Sequence, residues 1–315
     1  MTHLYRLTGI AISIVTMAVL CAFTKSEEQR QVAITVDDLP YTNGPHCDPQ
    51  EVLSVTETLL KPIREQRVPV VGLLVGVRCS NLTREQRASL LQMWLDAGAE
   101  LGNHTWSHPD LNKVELKEYE RQILAEDEEL RSTITSLKLR YFRAPYLHNG
   151  STAEIKKGLQ NFLRQHGYTE APVTLDNNDW VFAAAYNGAI QEKNAALSNK
   201  IEHAYMSYME SIIAYFEKRS RDVLGRECAQ VLLIHASKLN AKMLPQLLQV
   251  FKSRGYQFVK LDDAMQDECY RISDSYVGPK GLSWIHRWGL TKGKLIEMEP
   301  NEPEWIDRLG KQTGP

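Results

Sequence analysis

Short apolar stretches alternate with amphipathic stretches along most of the chain. Apolar, β-branched runs that end at polar or glycine positions predict strands, and apolar residues at helical spacing predict helices. The predicted strands are residues 31–36, 68–75, 100–103, 140–143, 171–175, 231–235 and 256–260. The predicted helices are residues 49–66, 83–98, 116–137, 152–167 and 241–255, with residues 181–228 mostly helical. Alternation of this kind predicts parallel strands joined by crossover helices, in a barrel or an open α/β sheet.

The first 25 residues follow a different pattern. Arg6 is the only charged residue before Lys25, and residues 7–23 between them are mostly apolar. A positive start followed by an apolar run predicts a signal peptide over residues 1–24, and therefore an exported protein that is periplasmic or extracellular. The alternative is an uncleaved N-terminal anchor, although the run is shorter than the roughly 20 residues that span a membrane. After signal cleavage we expect no stable membrane span.

Composition narrows the class of protein. The 37 Lys and Arg residues nearly balance the 39 Asp and Glu residues, giving a formal net charge of -2. This balance argues against a nucleic-acid-binding protein, which needs a basic surface. Four of the five cysteines follow residue 24, and an even number in an exported chain permits disulfides. Three pairings are possible, and the order of the predicted elements favours Cys47–Cys79 and Cys228–Cys269.

Candidate metal ligands follow two of the predicted strands. Asp37 and Asp38 end the first strand, and His104 and His108 follow the third. Taken alone, the aspartates suit a solvated turn, and the histidines suit surface or hydrogen-bonded positions. Successive side chains of a strand point to opposite faces, so we do not expect both carboxylates to face one way. Together, one carboxylate and two imidazoles make a three-ligand set that leaves positions open on a catalytic metal.

Five ordered segments, each at a predicted strand end, resemble the motifs of the polysaccharide deacetylases, the NodB homology domain of carbohydrate esterase family 4. The segments are TVDDLP (35–40), HTWSH (104–108), RAPY (143–146), DNNDW (176–180) and LIH (233–235). The resemblance covers about residues 31–262. It implies an α/β fold, a distorted parallel (β/α) barrel with fewer than eight strands, here with a helical insertion and a C-terminal extension.

The resemblance also implies roles for individual residues. Asp38, His104 and His108 would hold a divalent metal, with zinc as the expected ion, and Asp37 would be the general base. Arg143 would pair with Asp37 and hold it in place.

The remaining roles concern the leaving group and the substrate. His235 would be the general acid, and Asp179 would orient it and keep it cationic. The backbone N–H of Tyr146 would help to hold the oxyanion. Trp180 and Leu233 would line a pocket for the acetyl methyl group.

Three features depart from the family pattern. Leu39 stands where the family usually has glycine, which implies a different turn or a bulkier wall beside the base. We expect the deacetylase domain to cover residues 31–265, with an insertion at about 181–228 and an extension at 266–315. Trp284 in the extension could stack on a sugar, although packing against the barrel is the favoured interpretation.

The resulting hypothesis is an exported, metal-dependent hydrolase of linear amides that removes N-acetyl groups from an amino-sugar polysaccharide or oligosaccharide. One alternative keeps the fold and changes the substrate, to an O-acetyl polysaccharide or to small cyclic amides. A cyclic amidase would normally be cytosolic, so the predicted signal counts against it. Another alternative is a non-catalytic carbohydrate-binding protein, which predicts loss of the base or of a metal ligand, whereas all these positions are filled.

Overall fold

The computed structural model describes residues 29–42, 46–134, 137 and 139–313. The predicted signal peptide, residues 1–24, lies outside the described residues. Within those ranges, no helix has the length and apolar character needed to cross a membrane.

Seven parallel strands form the central sheet. They are β1 (Gln31–Leu39), β2 (Val70–Leu74), β3 (Glu100–Asn103), β4 (Tyr141–Phe142), β5 (Thr169–Glu170), β6 (Gln230–His235) and β7 (Gln257–Phe258). The order across the sheet is β5-β4-β3-β2-β1-β6, and β7 pairs with the beginning of β1. Parallel neighbours bring the carboxyl ends of the strands to one edge, where sites form in such folds.

Helices connect and cover the strands. They are α1 (Pro49–Gln66), α2 (Arg84–Asp96), α3 (Leu116–Thr133), α4 (Ala153–Gln165), α5 (Asp179–Gln191), α6 (Ala195–Leu224), α7 (Lys238–Ser253), α8 (Leu261–Ala264), α9 (Trp284–Thr291) and α10 (Glu304–Thr313). Thr83 and Gln86 form a capping box at the start of α2, so the helix predicted over residues 83–98 begins where the sequence indicated. The predicted α/β fold class is confirmed.

The sheet is closed by a segment that the sequence assigned to a strand. Residues 171–175 do not form a named strand, and their only β-bridge joins Leu175 to Leu232 of β6. Pro172 has no N–H to give to a ladder, and the side chain of Arg143 binds the carbonyl oxygens of Ala171 and Pro172. The segment therefore links the β5 edge to β6 and closes the distorted barrel through a short bridge.

The region after this closure is largely helical. Helices α5 and α6 pack against each other, α10 packs on α5, and α9 packs on α6. Trp284, at the start of α9, is buried, which agrees with packing and not with an exposed sugar platform.

The cysteines behave differently in the two predicted pairs. Cys47 and Cys79 form a disulfide, as predicted. Cys228 and Cys269 are buried free thiols, so the predicted second disulfide is wrong for this structure. A hydrogen bond from Cys228, together with burial, raises the pKa of the Cys269 thiol.

Candidate metal centre and active site

The end of β1 carries both aspartates in an irregular backbone. The pairing of β1 with β2 shifts register between Val36 and Leu39, and Asp38 adopts a left-handed conformation with φ 62°. This bulge breaks the strict alternation of side chains. The expectation that the two carboxylates face apart is therefore wrong: Asp37 Oδ2 lies 3.7 Å, and Asp38 Oδ1 3.9 Å, from His104 Nε2.

Leu39 does not form a wall beside Asp37, the predicted base. Its side chain is fully buried in the core, and it occupies the space that a side chain at Gly72 would need. The unusual backbone falls on Asp38 instead of on the position where the family has glycine. Leu39 is therefore accommodated by a different local turn, one of the two outcomes that the sequence left open.

The two histidines lie on a curved loop that leaves β3. The side chain of Asn103 accepts a hydrogen bond from the backbone N–H of Thr105, and the Thr105 hydroxyl accepts one from the N–H of His108. Thr105 and His108 both have positive φ, 72° and 55°. This tight curve brings the imidazole rings of His104 and His108 to a centroid distance of 4.9 Å.

Asp38, His104 and His108 each offer one ligand atom, and these three atoms all lie within 4.8 Å of one another. Asp38 Oδ1 is 3.6 Å from His108 Nε2. This oxygen is buried and has no hydrogen-bond partner among the described residues. A buried carboxylate oxygen without a partner is costly, and a cation between the three atoms would satisfy it.

The protonation states also suit a cation. Burial disfavours the imidazolium form, so it lowers the pKa of His104 and brings that of His108 to about 3. His104 Nδ1 lies 2.8 Å from the carbonyl oxygen of Arg143, which can only accept, so Nδ1 carries the proton and Nε2 presents its lone pair. Burial by itself would raise the pKa of Asp38, but His108 and Arg78 outweigh it and lower the pKa to about 2.

One anionic carboxylate and two neutral imidazoles are thus aimed at a common point. This donor set fits a divalent metal and leaves coordination positions open.

Asp37 is held from the side opposite His104. Its Oδ1 accepts a hydrogen bond of 2.5 Å from Arg143 Nη1, which also bonds Thr35 Oγ1 at 2.8 Å. Both Asp37 and Arg143 are about 1% exposed. Because the guanidinium also binds two backbone carbonyls, it is fixed in place and positions the carboxylate through Oδ1.

His235 faces the same edge from the neighbouring strand. Asp37 and His235 are register partners on β1 and β6, and residues in register on parallel strands present their side chains to one face. His235 Nδ1 is 2.7 Å from Asp179 Oδ1. Burial lowers the pKa of His235, but the charge and hydrogen bond of Asp179 outweigh it and raise the pKa to about 9.

Asp179 is itself held by His235 and by Asn240 of α7, and Asn240 is held by α6. Its Oδ2 accepts hydrogen bonds from the backbone N–H of His235 and from Asn240 Nδ2. Asn240 Oδ1 in turn accepts a 2.6 Å hydrogen bond from the hydroxyl of Tyr205 on α6. The long helix of the predicted insertion is therefore connected to Asp179 through Asn240.

The remaining predicted residues differ in exposure. Tyr146 and Trp180 are 56% and 58% exposed, unusual for large aromatic side chains. The Tyr146 ring makes an edge contact with His108, at a centroid distance of 4.7 Å. Leu233 is only 5% exposed and belongs to the hydrophobic core. The structure therefore exposes two of the predicted substrate-contacting side chains and buries the third.

Comparison with known proteins gives the family. Residues 24–171 match the family model described as polysaccharide deacetylase. These residues belong to the polysaccharide deacetylase family. The domain contains the aspartates, both histidines and Arg143, whereas Asp179 and His235 lie beyond the matched range.

Curated relatives of the deacetylase domain act on N-acetylated sugars. A chitooligosaccharide deacetylase from Bradyrhizobium is 32% identical over 117 residues, 37% of this chain and 46% of the relative. A peptidoglycan-N-acetylglucosamine deacetylase from Bacillus cereus is 26% identical over 159 residues, half of each chain. The chain thus spans about half the length of these relatives.

A solved structure shares the fold. The mutant of a carbohydrate esterase family 4 pseudoenzyme from Bacillus anthracis has a TM-score of 0.50 and 14% identity, and the match covers 76% of this chain and 68% of the other. At this identity the likeness supports the fold alone.

Sequence reasoning missed Arg78, Asn240 and Tyr205. Arg78 follows β2, a strand end from which no candidate was drawn, and its Nη2 donates a 2.9 Å hydrogen bond to Asp38 Oδ2. The alternation of strands and helices could have indicated it, because β2 ends at the same edge as β1. Nothing in the sequence distinguishes Asn240 and Tyr205 from ordinary helix residues.

Proposed function

We propose that this protein is an exported, metal-dependent deacetylase that removes N-acetyl groups from amino-sugar polysaccharides or oligosaccharides. The observation that carries the proposal is the placement of Asp37 beside the cluster of Asp38, His104 and His108, with His235 in register on the next strand. The activities named for the curated relatives support the choice of substrate.

In this proposal the cluster holds a divalent ion, with zinc as the expected metal because imidazole nitrogens and a carboxylate oxygen suit it. When bound, the ion supplies Lewis-acid polarisation of the acetyl carbonyl and activation of water. Residues of the chain transfer the protons and contact the substrate.

Asp37 takes a proton from the attacking water through Oδ2, the oxygen that Arg143 leaves unbonded in the contacts described. Arg143 keeps the carboxylate oriented through its hydrogen bond to Oδ1.

His235 gives a proton to the departing sugar amine. With Nδ1 bonded to Asp179, the imidazolium can release only the Nε2 proton. A pKa of about 9 keeps that proton available at neutral pH. Base and acid thus stand on adjacent strands with opposite protonation states, the arrangement that amide hydrolysis requires.

The exposed rings of Tyr146 and Trp180 are suited to contact a sugar, since an aromatic face combines apolar area with polar edges. In this proposal the backbone N–H of Tyr146 donates a hydrogen bond to the oxyanion.

Export rests on two observations. The apolar segment at residues 7–23 follows a positively charged start. The disulfide between Cys47 and Cys79 suits an oxidising compartment. N-terminal sequencing of protein recovered from cell fractions would test cleavage near residue 24; recovery of the intact N-terminus in the cytosol would contradict export.

The experiment that tests the function is acetate release from a panel of polymers, with and without prior removal of metal by a chelator. The panel contains chitin oligosaccharides, peptidoglycan, poly-N-acetylglucosamine and acetylated xylan. We expect chelator-sensitive release from at least one N-acetylated polymer. Release from acetylated xylan alone would favour the O-acetyl esterase, and binding without release would favour a non-catalytic carbohydrate-binding protein. Full activity after complete metal removal would refute the metal mechanism.

A further inference from the structure

The turn that carries Tyr146 has an unfavourable backbone. Tyr146 and Leu147 are consecutive non-glycine residues in the left-handed region, with φ of 58° and 55°. Side chains disfavour this region, and two residues in succession need support from outside the turn.

The support comes from residues 274–287, which we call the C-terminal strap. The backbone of Gly281 lies directly against the carbonyl group of Tyr146, so a Cβ at this position would collide with the Tyr146 carbonyl oxygen. Arg287 Nη2 donates a 2.6 Å hydrogen bond to the carbonyl oxygen of Leu147. The strap thus contacts the carbonyls of both left-handed residues.

Arg287 is rigidly held. Its side chain is 1% exposed, its Nε donates to the carbonyl oxygen of Leu282, and its Nη1 is 3.2 Å from Asp274 Oδ2. The guanidinium lies 4.0 Å from the centre of the Trp284 ring. A buried guanidinium with all these partners cannot move without leaving a charge unpaired.

The strap is in turn fixed to the segment that closes the barrel. The N–H of Trp284 donates to the carbonyl oxygen of Val173 at 2.7 Å, and the Ser283 hydroxyl donates to that of Thr174 at 2.8 Å. The strap therefore joins the barrel closure to the Tyr146 turn, although it lies outside the range 24–171 that matches the family.

We propose that the C-terminal strap positions the Tyr146 turn for catalysis, with Gly281 and Arg287 as positioning residues. The inference rests on the proposed deacetylase function and extends it, since it assigns a role to a segment outside the matched domain. Gly281 sets how closely the strap approaches Tyr146, and Arg287 fixes the Leu147 carbonyl. Together they set the position of the Tyr146 N–H and of the ring that contacts His108.

The test compares Gly281→Ala with Gly278→Ala in the full-length, metal-loaded protein. Both replace a strap glycine by alanine, but the atoms nearest to a Cβ at Gly278 belong to the Tyr276 side chain and not to the backbone of the Tyr146 turn. For Gly281→Ala we expect kcat to fall about a hundredfold while KM changes little. The added Cβ displaces the Tyr146 turn, so the backbone N–H that holds the oxyanion is no longer at hydrogen-bonding distance in the transition state. Gly278→Ala should keep both constants.

A second measurement does not depend on activity. The NMR signals of the His108 imidazole protons, assigned with a His108→Gln variant, have chemical shifts that depend on the position of the nearby Tyr146 ring. We expect them to shift in Gly281→Ala and to stay in place in Gly278→Ala, with the metal affinity of both variants close to that of the parent protein.

The outcomes separate the two proposals. If the parent protein releases no acetate but the His108 signals shift as expected, the deacetylase function fails and the strap still positions the turn. If Gly281→Ala keeps the parent kcat, or the His108 signals do not move, the positioning role is refuted. A parallel loss of kcat in Gly278→Ala would assign the effect to general loosening of the strap and would also refute it.

Discussion

Arg78 Nη2 lies 2.9 Å from Asp38 Oδ2, on the side of the carboxylate opposite the two histidines. One oxygen of Asp38 is thus held by a cation of the protein, and the other faces the histidines and has no hydrogen-bond partner in the part of the chain that the structure describes. Arg78 adjoins Cys79 of the disulfide, and its carbonyl accepts a hydrogen bond from Arg87. The proposed metal ligand is therefore oriented by a loop that is itself covalently fixed.

This relationship predicts the effect of Arg78→Ala. Without the guanidinium, Asp38 loses the partner that fixes its orientation and stabilises its charge. We expect affinity for Zn²⁺ to fall about tenfold to a hundredfold, as for other residues that orient a metal ligand. Competition against a coloured chelator measures it. The control is Arg84→Ala at the exposed start of α2, which should bind as the parent does. Equal affinity in the two variants would contradict the role of Arg78.

Replacement of the proposed base should separate chemistry from metal binding. Asp37→Asn keeps an oxygen for Arg143 but cannot accept a proton. We expect kcat to fall by a factor of about 10² to 10⁴. The metal content, measured by atomic emission after dialysis, should match the parent. A near-normal rate would mean that the base is elsewhere.

The complementary change is His104→Ala, which removes a proposed ligand. We expect this variant to lose both the metal and turnover, because the remaining Asp38 and His108 leave only two protein ligands. Retention of stoichiometric metal at the parent affinity would exclude His104 from the site.

The proposed general acid, His235, predicts a pH dependence. The pKa of His235 is raised to about 9, so the imidazolium is available below that pH and is lost above it. We expect the alkaline limb of kcat near pH 9. The same shift stabilises the fold: the contribution is complete below the ordinary histidine pKa of 6.5 and disappears as pH rises through about 9.

Asp179→Asn tests the cause of this shift. Removing the carboxylate lets burial dominate, so the pKa of His235 should fall and the alkaline limb should move to lower pH. The matched control is Asp222→Asn, a carboxylate of α6 that pairs with Lys218. A limb that stays near pH 9 in Asp179→Asn would show that another group titrates there.

The Cys47–Cys79 disulfide predicts a change in stability. It closes a loop with a sequence separation of 32 residues. Chain-entropy arguments give a loss of about 3–4 kcal/mol in the free energy of unfolding when both cysteines become alanine. Denaturant unfolding with and without reductant measures it: reductant should lower the stability of the parent and leave the double variant unchanged. A parent protein insensitive to reductant would contradict a stabilising bond.

Much of the fold could be predicted because hydrophobic periodicity and caps are local signals. The helix at Pro49–Gln66 and the strand at Glu100–Asn103 have the predicted bounds, and α2 is capped by Thr83, where its start was predicted. The prediction of a strand at residues 171–175 was wrong because carbonyls of this segment bind the side chain of Arg143. No local sequence pattern indicates a contact with so distant a residue.

The site was predictable as a set of residue types and not as a geometry. The motifs indicated Asp38, His104 and His108, but the backbone bulge that lets Asp37 and Asp38 face one cleft depends on pairing between strands. The partner of Asp38 was missed for the same reason, since Arg78 approaches it only when β1 and β2 are neighbours. Contacts between distant segments decide such details.

The hydroxyl of Tyr205 has a consequence for engineering. Because it satisfies Asn240, which in turn holds Asp179, helix α6 is linked by hydrogen bonds to the partner of the proposed proton donor. A chimera that replaces α6 by a shorter loop would have to supply an equivalent hydrogen-bond donor to Asn240, or the orientation of Asp179 and of the proposed acid would no longer be fixed.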